Sequence, residues 1–219
     1  MIELLSKGVL SYLLGSVIGS LVVGRLKGGV DIRQSGSGNA GGTNALRTQG
    51  AVFAFWVMLI DIGKGALATA LIAPWAMPAA IAPDPLWHRW CIPLCGLAVM
   101  LGHVYPLWHG FRGGKGVATM LGAAAGIASW LLVPLLLAWI VTAVLSGYVG
   151  LASMVAAVSL AVAIELGGAT PHVPLVSFGI LTALLIVYTH RGNIARMRAG
   201  IEPRAKKLWL FGTRRTHPT

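Results

Sequence analysis

The chain has 219 residues, of which 56% are hydrophobic and 11% are charged, and its formal net charge at pH 7 is +11. Soluble domains carry about 25% charged residues, so this composition excludes an ordinary soluble domain and indicates one membrane-embedded domain covering residues 1–219. The basic residues flank apolar runs and form no soluble basic face, which argues against nucleic acid as a partner and favours a role in membrane orientation.

Apolar runs predict seven transmembrane helices, because about 20 apolar residues cross about 30 Å of hydrocarbon. Polar residues and further spans follow the first run directly, so we interpret it as a retained helix and not as a signal peptide. The fourth run is short and meets the fifth near Ser129, which leaves six spans as the alternative. The predicted helices cover about 3–24, 51–73, 89–108, 115–129, 131–147, 149–166 and 173–190.

The basic residues concentrate on one predicted side of the membrane. Fourteen lie in the first loop, the third loop and the C-terminal tail, and two, Lys7 and Arg89, lie on the other side. The positive-inside rule places the richer side in the cytoplasm, so the N-terminus lies outside and an odd number of spans is required. The second loop, 73–88, is predicted to be an outward-facing spacer. We therefore predict an all-α integral membrane protein with glycine-rich cytoplasmic loops.

The first of these loops contains the sequence DIRQSGSGNAGGTNALR, residues 31–47. Closely spaced glycines let backbone N–H groups turn toward an anion, and neutral donors and a guanidinium lie between them. Small-residue packing between helices is the alternative, but it does not require the interleaved polar residues. The candidate anion ligands are Gly36, Ser37, Gly38, Asn39, Gly41, Gly42, Thr43, Asn44 and Arg47.

A second cluster, GHVYPLWHGFRGGKGVAT, occupies residues 102–119. Its Gly-Lys pair is followed by glycine instead of Ser or Thr, which disfavours a nucleotide site with bound magnesium. Gly113, Gly114 and Gly116 surround Lys115 at a helix start, an arrangement that suits a phosphate. An ordinary basic turn is the alternative.

The third cluster, THRGNIARMRAGIEPR, begins where the last span ends. His190 and Asn193 are three residues apart and therefore share a helix face. Neither is a good membrane anchor, so we assign both to the candidate site. Arg191, Arg196 and Arg198 are interpreted as lipid-headgroup anchors.

Two charged residues, Asp61 and Lys64, lie within a predicted span and are three residues apart. Charges inside a membrane are costly and usually functional, and this spacing allows mutual neutralisation. We prefer a structural ion pair that supports the site over direct catalysis. Cys91 and Cys95 are interpreted as packing residues. No metal site is predicted, because no pair of carboxylates lies near the clusters, and no nucleophile elbow is present.

Four ordered blocks, DIRQSGSGNAGGTNALR, LIDIGKGA, GHVYPLWHGFRGGKGVAT and HRGNIARMRAG, resemble the bacterial acyl-phosphate:glycerol-3-phosphate acyltransferases. The resemblance implies an enzyme of the bacterial inner membrane with its active site on the cytoplasmic side. It implies transfer of a fatty acyl group from acyl-phosphate to the 1-hydroxyl of glycerol 3-phosphate. The products are 1-acyl-glycerol 3-phosphate and phosphate, in the first acylation of phospholipid synthesis. No cofactor is expected, membrane lipids surround the chain, and we expect a monomer.

The resemblance also assigns roles to residues. It makes Ser37, Thr43, the loop glycines, Arg47 and Lys115 phosphate contacts, and it places His190 and Asn193 in the glycerol 3-phosphate site. One position departs from the family, which usually has serine where this chain has Gly150. Ser153, about one helical turn later, is the candidate replacement.

An acyl-phosphate is already activated, so direct attack without a covalent acyl-enzyme is expected. Arg47 and Lys115 would reduce the repulsion between two phosphate substrates and orient them. Either His190 or a phosphate oxygen of the substrate accepts the hydroxyl proton; we favour the substrate, since no carboxylate near His190 in sequence would orient its ring. We favour the acyl-phosphate as the ligand of the glycine loop. A transporter or channel for phosphate-type anions is the alternative function, although only Asp61 and Lys64 lie deep in the spans.

Overall fold

The computed structural model describes residues 1–76 and 85–212, and this part of the chain forms eleven α-helices and no strand. Most of the predicted outward spacer, at 77–84, lies outside the described residues, as do the basic residues of the tail beyond 212. The helices are α1 (Ile2–Gly15), α2 (Gly19–Leu26), α3 (Gly42–Gln49), α4 (Ala51–Leu67), α5 (Pro85–His88), α6 (Cys91–Val104), α7 (Val117–Ile127), α8 (Leu132–Ser146), α9 (Val149–Leu166), α10 (His172–Thr189) and α11 (Arg191–Arg198).

The first predicted span is not one continuous helix. It consists of α1 and α2, which are bent by 44° at the intervening residues 16–18. A break of this kind leaves carbonyl and N–H groups without partners inside the helix, and a membrane offers no water to replace them. The prediction of a single helix over 3–24 is therefore wrong, and the break requires partners from elsewhere in the chain.

Asp61 and Lys64 of α4 supply those partners. The Lys64 ammonium donates to the carbonyl oxygens of Gly15 at 2.9 Å and Val17 at 2.7 Å. The Asp61 carboxylate accepts from the N–H of Gly19 at 3.1 Å, and it lies 3.0 Å from the Lys64 ammonium. The charged pair thus neutralises itself and caps both sides of the break.

Within the described residues, five helices are long and apolar enough to cross a membrane, and the bent α1–α2 pair brings the number to six. α7 was predicted as a span over 115–129, but it has only 11 residues and a length of about 16 Å. It ends at Ile127, and the extended backbone of Ala128 precedes a short 3-10 turn leading into α8. The predicted number of seven full spans is therefore not confirmed, whereas the all-helical, apolar architecture is.

The helices pack through glycines at their closest approaches. α4 packs on α7 and α1 packs on α6. A Cβ atom added to Gly65 or Gly122 would overlap backbone of the opposite helix in the first pair, and the same holds for Gly15 and Gly102 in the second. Small-residue packing of the membrane type therefore occurs in both of these helix pairs.

The main apolar core lies between α6, α7, α9 and α10 and includes Met100, Met120, Leu160 and Phe178. A smaller core contains Cys91 and Cys95, both buried and free, in agreement with a packing role. Only 17% of the α8 span is buried, so most of its apolar surface faces outward. Lipid is the environment that suits such a surface.

Candidate anion-binding site

A pocket of about 140 Å³ forms where the three polar clusters of the sequence meet. The first cluster, residues 31–47, is named the first glycine loop and provides one wall. Lys115 of the second cluster provides another wall, and the junction of α10 and α11 provides the third. Segments as far apart as 37 and 196 in the chain thus converge on one space. The residues that line the pocket are Ser37, Gly38, Asn39, Lys115, Thr189, Gly192, Asn193 and Arg196.

Asn44 shapes the first glycine loop from the first turn of α3. Its side-chain Oδ1 accepts from the N–H of Ser37 at 2.9 Å. Its Nδ2 donates to the carbonyl oxygens of Ile32, Ser35 and Asn39 at 2.9 to 3.1 Å. The buried Asn44 amide therefore stabilises the loop and does not face the pocket. The sequence analysis had predicted Asn44 as an anion ligand.

The glycines of this loop have two different structural roles. Gly36 and Gly38 have φ values of +62° and +70°, a conformation that side chains rarely adopt. A Cβ on Gly42 would instead lie 2.5 Å from the Met58 Sδ atom of α4, so a larger residue would displace the Met58 side chain. The N–H groups of Gly38 and Gly41 donate to acceptors inside the loop. The predicted nest of inward-turned amides is thus only partly available to a ligand.

The second cluster also uses its glycines for packing. The N–H groups of Gly113 and Gly114 donate to the carbonyl oxygens of Val104 at 3.1 Å and His103 at 3.0 Å. A Cβ on Gly113 would overlap the His103 carbonyl oxygen, and one on Gly114 would overlap the His103 ring. These two residues therefore support the loop from below and do not line the pocket. Their predicted role as phosphate ligands is replaced by a packing role.

Lys115 is the residue of the second cluster that reaches the pocket. Its ammonium donates to the Asn193 Oδ1 atom, and its carbonyl oxygen accepts from the Thr189 hydroxyl at 3.1 Å. Gly116, with φ +86°, follows it and precedes α7. Burial lowers the pKa of the Lys115 ammonium to about 8, the charges of Arg196 and Arg47 act in the same direction, and Glu202 opposes them.

A carboxylate that the sequence analysis missed organises the third wall. The buried Glu202 side chain accepts from Asn193 Nδ2 at 2.5 Å and from Arg196 Nε at 2.6 Å. It thereby fixes the amide that contacts Lys115. Glu202 is one of six acidic residues in the chain and lies inside a basic tail, and that isolation is the signal that the sequence offered.

Arg196 also differs from its prediction, because it lines the pocket instead of extending only to lipid headgroups. Its predicted counterpart Arg47 is exposed on α3 and is not a lining residue, although its charge influences Lys115. Thr43 is likewise exposed. The guanidinium next to the pocket in this structure is therefore that of Arg196.

His190 is buried at the end of α10 and does not line the pocket. Its Nδ1 atom donates to the Ile186 carbonyl oxygen at 2.8 Å, so a backbone carbonyl orients the ring. Burial, followed by the positive charge of Lys115, lowers the pKa of His190 to about 4. The ring is consequently neutral at physiological pH.

Gly150 leaves room for the Asn193 side chain. A Cβ at position 150 would lie 2.8 Å from Asn193 Nδ2, so the glycine lets this amide pack directly on α9. Ser153, the candidate replacement for the family serine, is engaged elsewhere. Its hydroxyl donates to the Val149 carbonyl oxygen at 2.9 Å and accepts from Trp139 Nε1 at 3.4 Å, and it does not line the pocket.

Arg33 joins the two loops that flank the pocket. Its Nη1 atom donates to the carbonyl oxygens of His109 at 3.3 Å and Arg112 at 3.0 Å. Its Nη2 atom pairs with the Asp31 carboxylate at 2.8 Å. The Arg33 guanidinium holds the pKa of that carboxyl below its usual value.

One group of metal-type ligands, Glu3, His88 and Cys91, occurs in the part of the chain that the structure describes. None of the three lines the pocket. The Glu3 carboxylate already pairs with the Lys7 ammonium at 2.6 Å, which neutralises its charge. In the pocket, the nearby carboxylate of Glu202 is engaged by Asn193 and Arg196.

The residues that line the pocket therefore combine an ammonium, a guanidinium, two amides and two hydroxyl groups, and no carboxylate is among them. Cationic and neutral donors converging on a small space suit a phosphate group. No histidine ring is hydrogen-bonded to the Ser37 hydroxyl among the described contacts. The arrangement favours anion binding over nucleophilic catalysis.

The chain is similar to known proteins over most of its length. The family model described as glycerol-3-phosphate acyltransferase matches residues 6–200. A glycerol-3-phosphate acyltransferase of Zymomonas mobilis is 40% identical over 203 residues, which cover 89% of this chain and 92% of the relative. One of Bordetella pertussis is 42% identical over 203 residues, with 91% and 90% covered.

Two solved structures are similar over nearly the whole chain. Both are crystal structures of PlsY, described as an integral membrane glycerol 3-phosphate acyltransferase. Its glycerol 3-phosphate form has a TM-score of 0.79 and 35% identity and covers 91% of this chain and 94% of that chain. Its lysophosphatidic acid form has a TM-score of 0.79 and 33% identity, with 93% and 97% covered.

Proposed function

This chain belongs to the glycerol-3-phosphate acyltransferase family, and from that premise we propose that it transfers a fatty acyl group from acyl-phosphate to the 1-hydroxyl of glycerol 3-phosphate. The products are 1-acyl-glycerol 3-phosphate and inorganic phosphate. The observation that carries the proposal is the pocket in which Lys115 and Arg196 face the first glycine loop. Family membership favours this reaction over the transport of phosphate-type anions.

The chemistry of the pocket supports an activated acyl donor. Hydroxyl groups are present at Ser37 and Thr189, but the Thr189 hydroxyl donates to the carbonyl oxygens of Lys115 and Ile186. A serine or threonine nucleophile requires an adjacent base. Acyl-phosphate needs no such activation, because phosphate is itself a good leaving group. Direct attack by the substrate hydroxyl therefore fits these residues without a covalent acyl-enzyme.

In the proposed step, the 1-hydroxyl oxygen of glycerol 3-phosphate bonds to the acyl carbonyl carbon. The bond between that carbon and the phosphate oxygen breaks, and phosphate leaves with its electron pair. The hydroxyl proton passes to a phosphate oxygen of the substrate. The low pKa of His190 and its position outside the pocket lining support the substrate oxygen over His190 as acceptor.

Electrostatic positioning supplies the catalytic effect in this account. Two phosphate substrates repel each other, and the charges of Lys115 and Arg196 reduce that repulsion. Preorganised donors and orientation of reactants each lower a barrier by several kcal/mol, that is by about 3 to 10 kcal/mol. The wall at Ser37 to Asn39 holds the acyl-phosphate in this proposal. The α10–α11 junction, with Asn193, holds glycerol 3-phosphate.

We place the pocket on the cytoplasmic side of the bacterial inner membrane. The loops and the tail beside it carry fourteen of the 17 Lys and Arg residues, as the positive-inside rule requires of a cytoplasmic face. The proposal keeps seven membrane passages, with α7 as a short one, an outside N-terminus and a monomeric enzyme. The acyl chain then remains in lipid beside the helices while the phosphates meet at the polar end.

A donor comparison tests the proposed function. The purified protein receives radiolabelled glycerol 3-phosphate together with an acyl-phosphate, an acyl-CoA or an acyl-carrier protein of the same chain length. We expect labelled 1-acyl-glycerol 3-phosphate with acyl-phosphate at a rate at least about 100-fold above the other donors, since sites built on buried polar contacts discriminate by up to about 10⁴- to 10⁵-fold. A faster reaction with either thioester donor would contradict the proposal.

A further inference from the structure

Beneath the pocket, three side chains form a buried charge cluster: Asp61 and Lys64 of α4 and His103 of α6. Each is at most 3% exposed. The His103 Nδ1 atom lies 2.8 Å from the Lys64 ammonium and 3.3 Å from Asp61 Oδ1. Asp61 and Lys64 were assigned above to the break between α1 and α2. His103 adds a connection that this role does not require.

One side of the buried charge cluster is fastened to the helices that lead to the first glycine loop. Asp61 accepts from the N–H at the start of α2, and Lys64 donates to the carbonyl oxygens of Gly15 and Val17 shortly before it. α2 ends at Leu26, and the chain reaches the first glycine loop a few residues later. Gly24 of α2 packs against the Val30 backbone, which fixes this connection. The cluster thus sets the position of one wall of the pocket.

The other side supports the loop that carries Lys115. The His103 carbonyl oxygen accepts from the Gly114 N–H at 3.0 Å. The His103 ring fills the space into which a Cβ of Gly114 would project, because such an atom would overlap Nε2. Lys115 follows directly and points into the pocket. The ring therefore limits the position of the backbone from which Lys115 extends.

We propose that His103 is a positioning residue for the acyl transfer. It contacts Asp61 and Lys64, which bind the α1–α2 segment that leads to the first glycine loop, and it also packs against the Gly114–Lys115 backbone. The buried charge cluster therefore fixes the positions of both pocket walls relative to each other. The inference rests on the proposed function of Lys115 as a phosphate ligand. It predicts that a change at His103 alters substrate binding without touching a substrate.

Three variants separate positioning from general stability: His103→Asn, Gly114→Ala and the double variant. Asparagine places a polar atom where His Nδ1 lies, so the contacts with Asp61 and Lys64 are kept while the part of the ring over Gly114 is removed. In Gly114→Ala the new Cβ meets the ring, whereas in the double variant it occupies the space that the ring has left. His172→Asn, an exposed histidine paired with Glu165, is the matched control.

The KM values for both phosphate substrates and kcat are measured on detergent-purified, monodisperse protein. We expect His103→Asn and Gly114→Ala each to raise the KM of at least one substrate about tenfold, since displacement of a positioned group by about 1 Å costs up to about 100-fold. The double variant should have a lower KM than Gly114→Ala alone. His172→Asn should stay within about twofold of the parent, as surface changes do.

Unchanged KM values in the single variants would overturn the proposal. So would a fold-increase in KM of the double variant equal to the product of the fold-increases of the two single variants. If His103→Asn yields no folded protein, Gly114→Ala alone carries the test, and parental KM values there would refute it. A Lys115→Ala variant measured in parallel distinguishes failure of the proposed function from failure of this inference. Full activity of Lys115→Ala would refute the proposed function itself. Loss of activity in Lys115→Ala, with unchanged KM values in the His103 and Gly114 variants, would refute only the positioning role of His103.

Discussion

At the scale of single residues, the pocket depends on a chain of polar contacts. Lys115 donates to Asn193, Asn193 donates to Glu202, and Glu202 accepts from Arg196. Each member therefore has a partner that fixes its position before a substrate arrives. Preorganisation of this kind avoids the entropic cost of ordering flexible cations around a phosphate.

The first prediction compares two arginines. Arg196 lines the pocket and Arg47 is exposed on α3, so Arg196→Ala should reduce kcat/KM more than Arg47→Ala does. Loss of a charge-assisted contact to phosphate costs about 1.5–3 kcal/mol, which corresponds to about 10- to 150-fold in kcat/KM. Steady-state acyl transfer by both purified variants provides the measurement. A larger loss in Arg47→Ala would restore the sequence-based assignment of the clamp to Arg47.

The second prediction concerns pH. The pKa of Lys115 is lowered to about 8, so its ammonium is charged below that pH and attracts phosphate, and it becomes neutral above it. We expect kcat/KM, which reports the free enzyme, to fall as pH rises through about 8. In Lys115→Arg the side chain stays charged, and the fall should move upward by at least about one pH unit. A fall at the same pH in both proteins would assign it to another group.

Residue types in the sequence identified the segments of the site better than the individual ligands. The three polar clusters meet at one pocket. However, the Asn44 side-chain amide and the N–H groups of Gly113 and Gly114 donate to backbone carbonyl oxygens and are not available to a ligand. Composition shows that a donor exists, but only tertiary packing decides whether it faces a ligand or the chain. Glu202 was missed because its role depends on a turn after α11 that brings it back to Asn193.

At the scale of elements, hydrophobic runs located the helices of the bundle well. The predicted spans at 149–166 and 173–190 agree with α9 and α10 within one residue at each end. The break after α1 could not be read from the same pattern, because its partners come from α4, more than 40 residues away. Residues 42–49, read as part of a loop, form α3, and its first residue, Gly42, packs close to the Met58 side chain of α4.

The third prediction tests the packing of α4 on α7. Gly122→Ala should lower the apparent unfolding temperature in detergent, because the new Cβ would overlap the Ile62 carbonyl oxygen and separate the helices. Gly63→Ala, on α4, is the matched control, since nothing lies within 4 Å of its Cβ position. Alanine improves helix propensity by about 1 kcal/mol, so this control should be neutral or stabilising. Equal thermal shifts in the two variants would show that the close approach does not limit stability.

At the scale of the whole molecule, an apolar bundle carries a polar pocket in which three separate loop segments meet. The outward surface of α8 suits lipid, while Lys115 and Arg196 bring their positive charges to the pocket beside the first glycine loop. This separation suits the proposed acyl-phosphate, which has a lipid chain at one end and a phosphate at the other. Composition and charge distribution predicted it from the sequence, whereas the number of full membrane passages depends on the short α7 and was not fixed by hydropathy.

The central claim is that acyl transfer takes place in the pocket where Lys115 meets the first glycine loop. Its most direct test is kcat/KM of purified Lys115→Ala with acyl-phosphate and glycerol 3-phosphate, beside Lys206→Ala, an exposed lysine of the tail. Removal of one preorganised donor to a developing anion costs about 100- to 1,000-fold. We predict a loss of that size for Lys115→Ala in a folded, monodisperse protein and a change within about twofold for Lys206→Ala. Retention of near-parental turnover by Lys115→Ala would contradict the account.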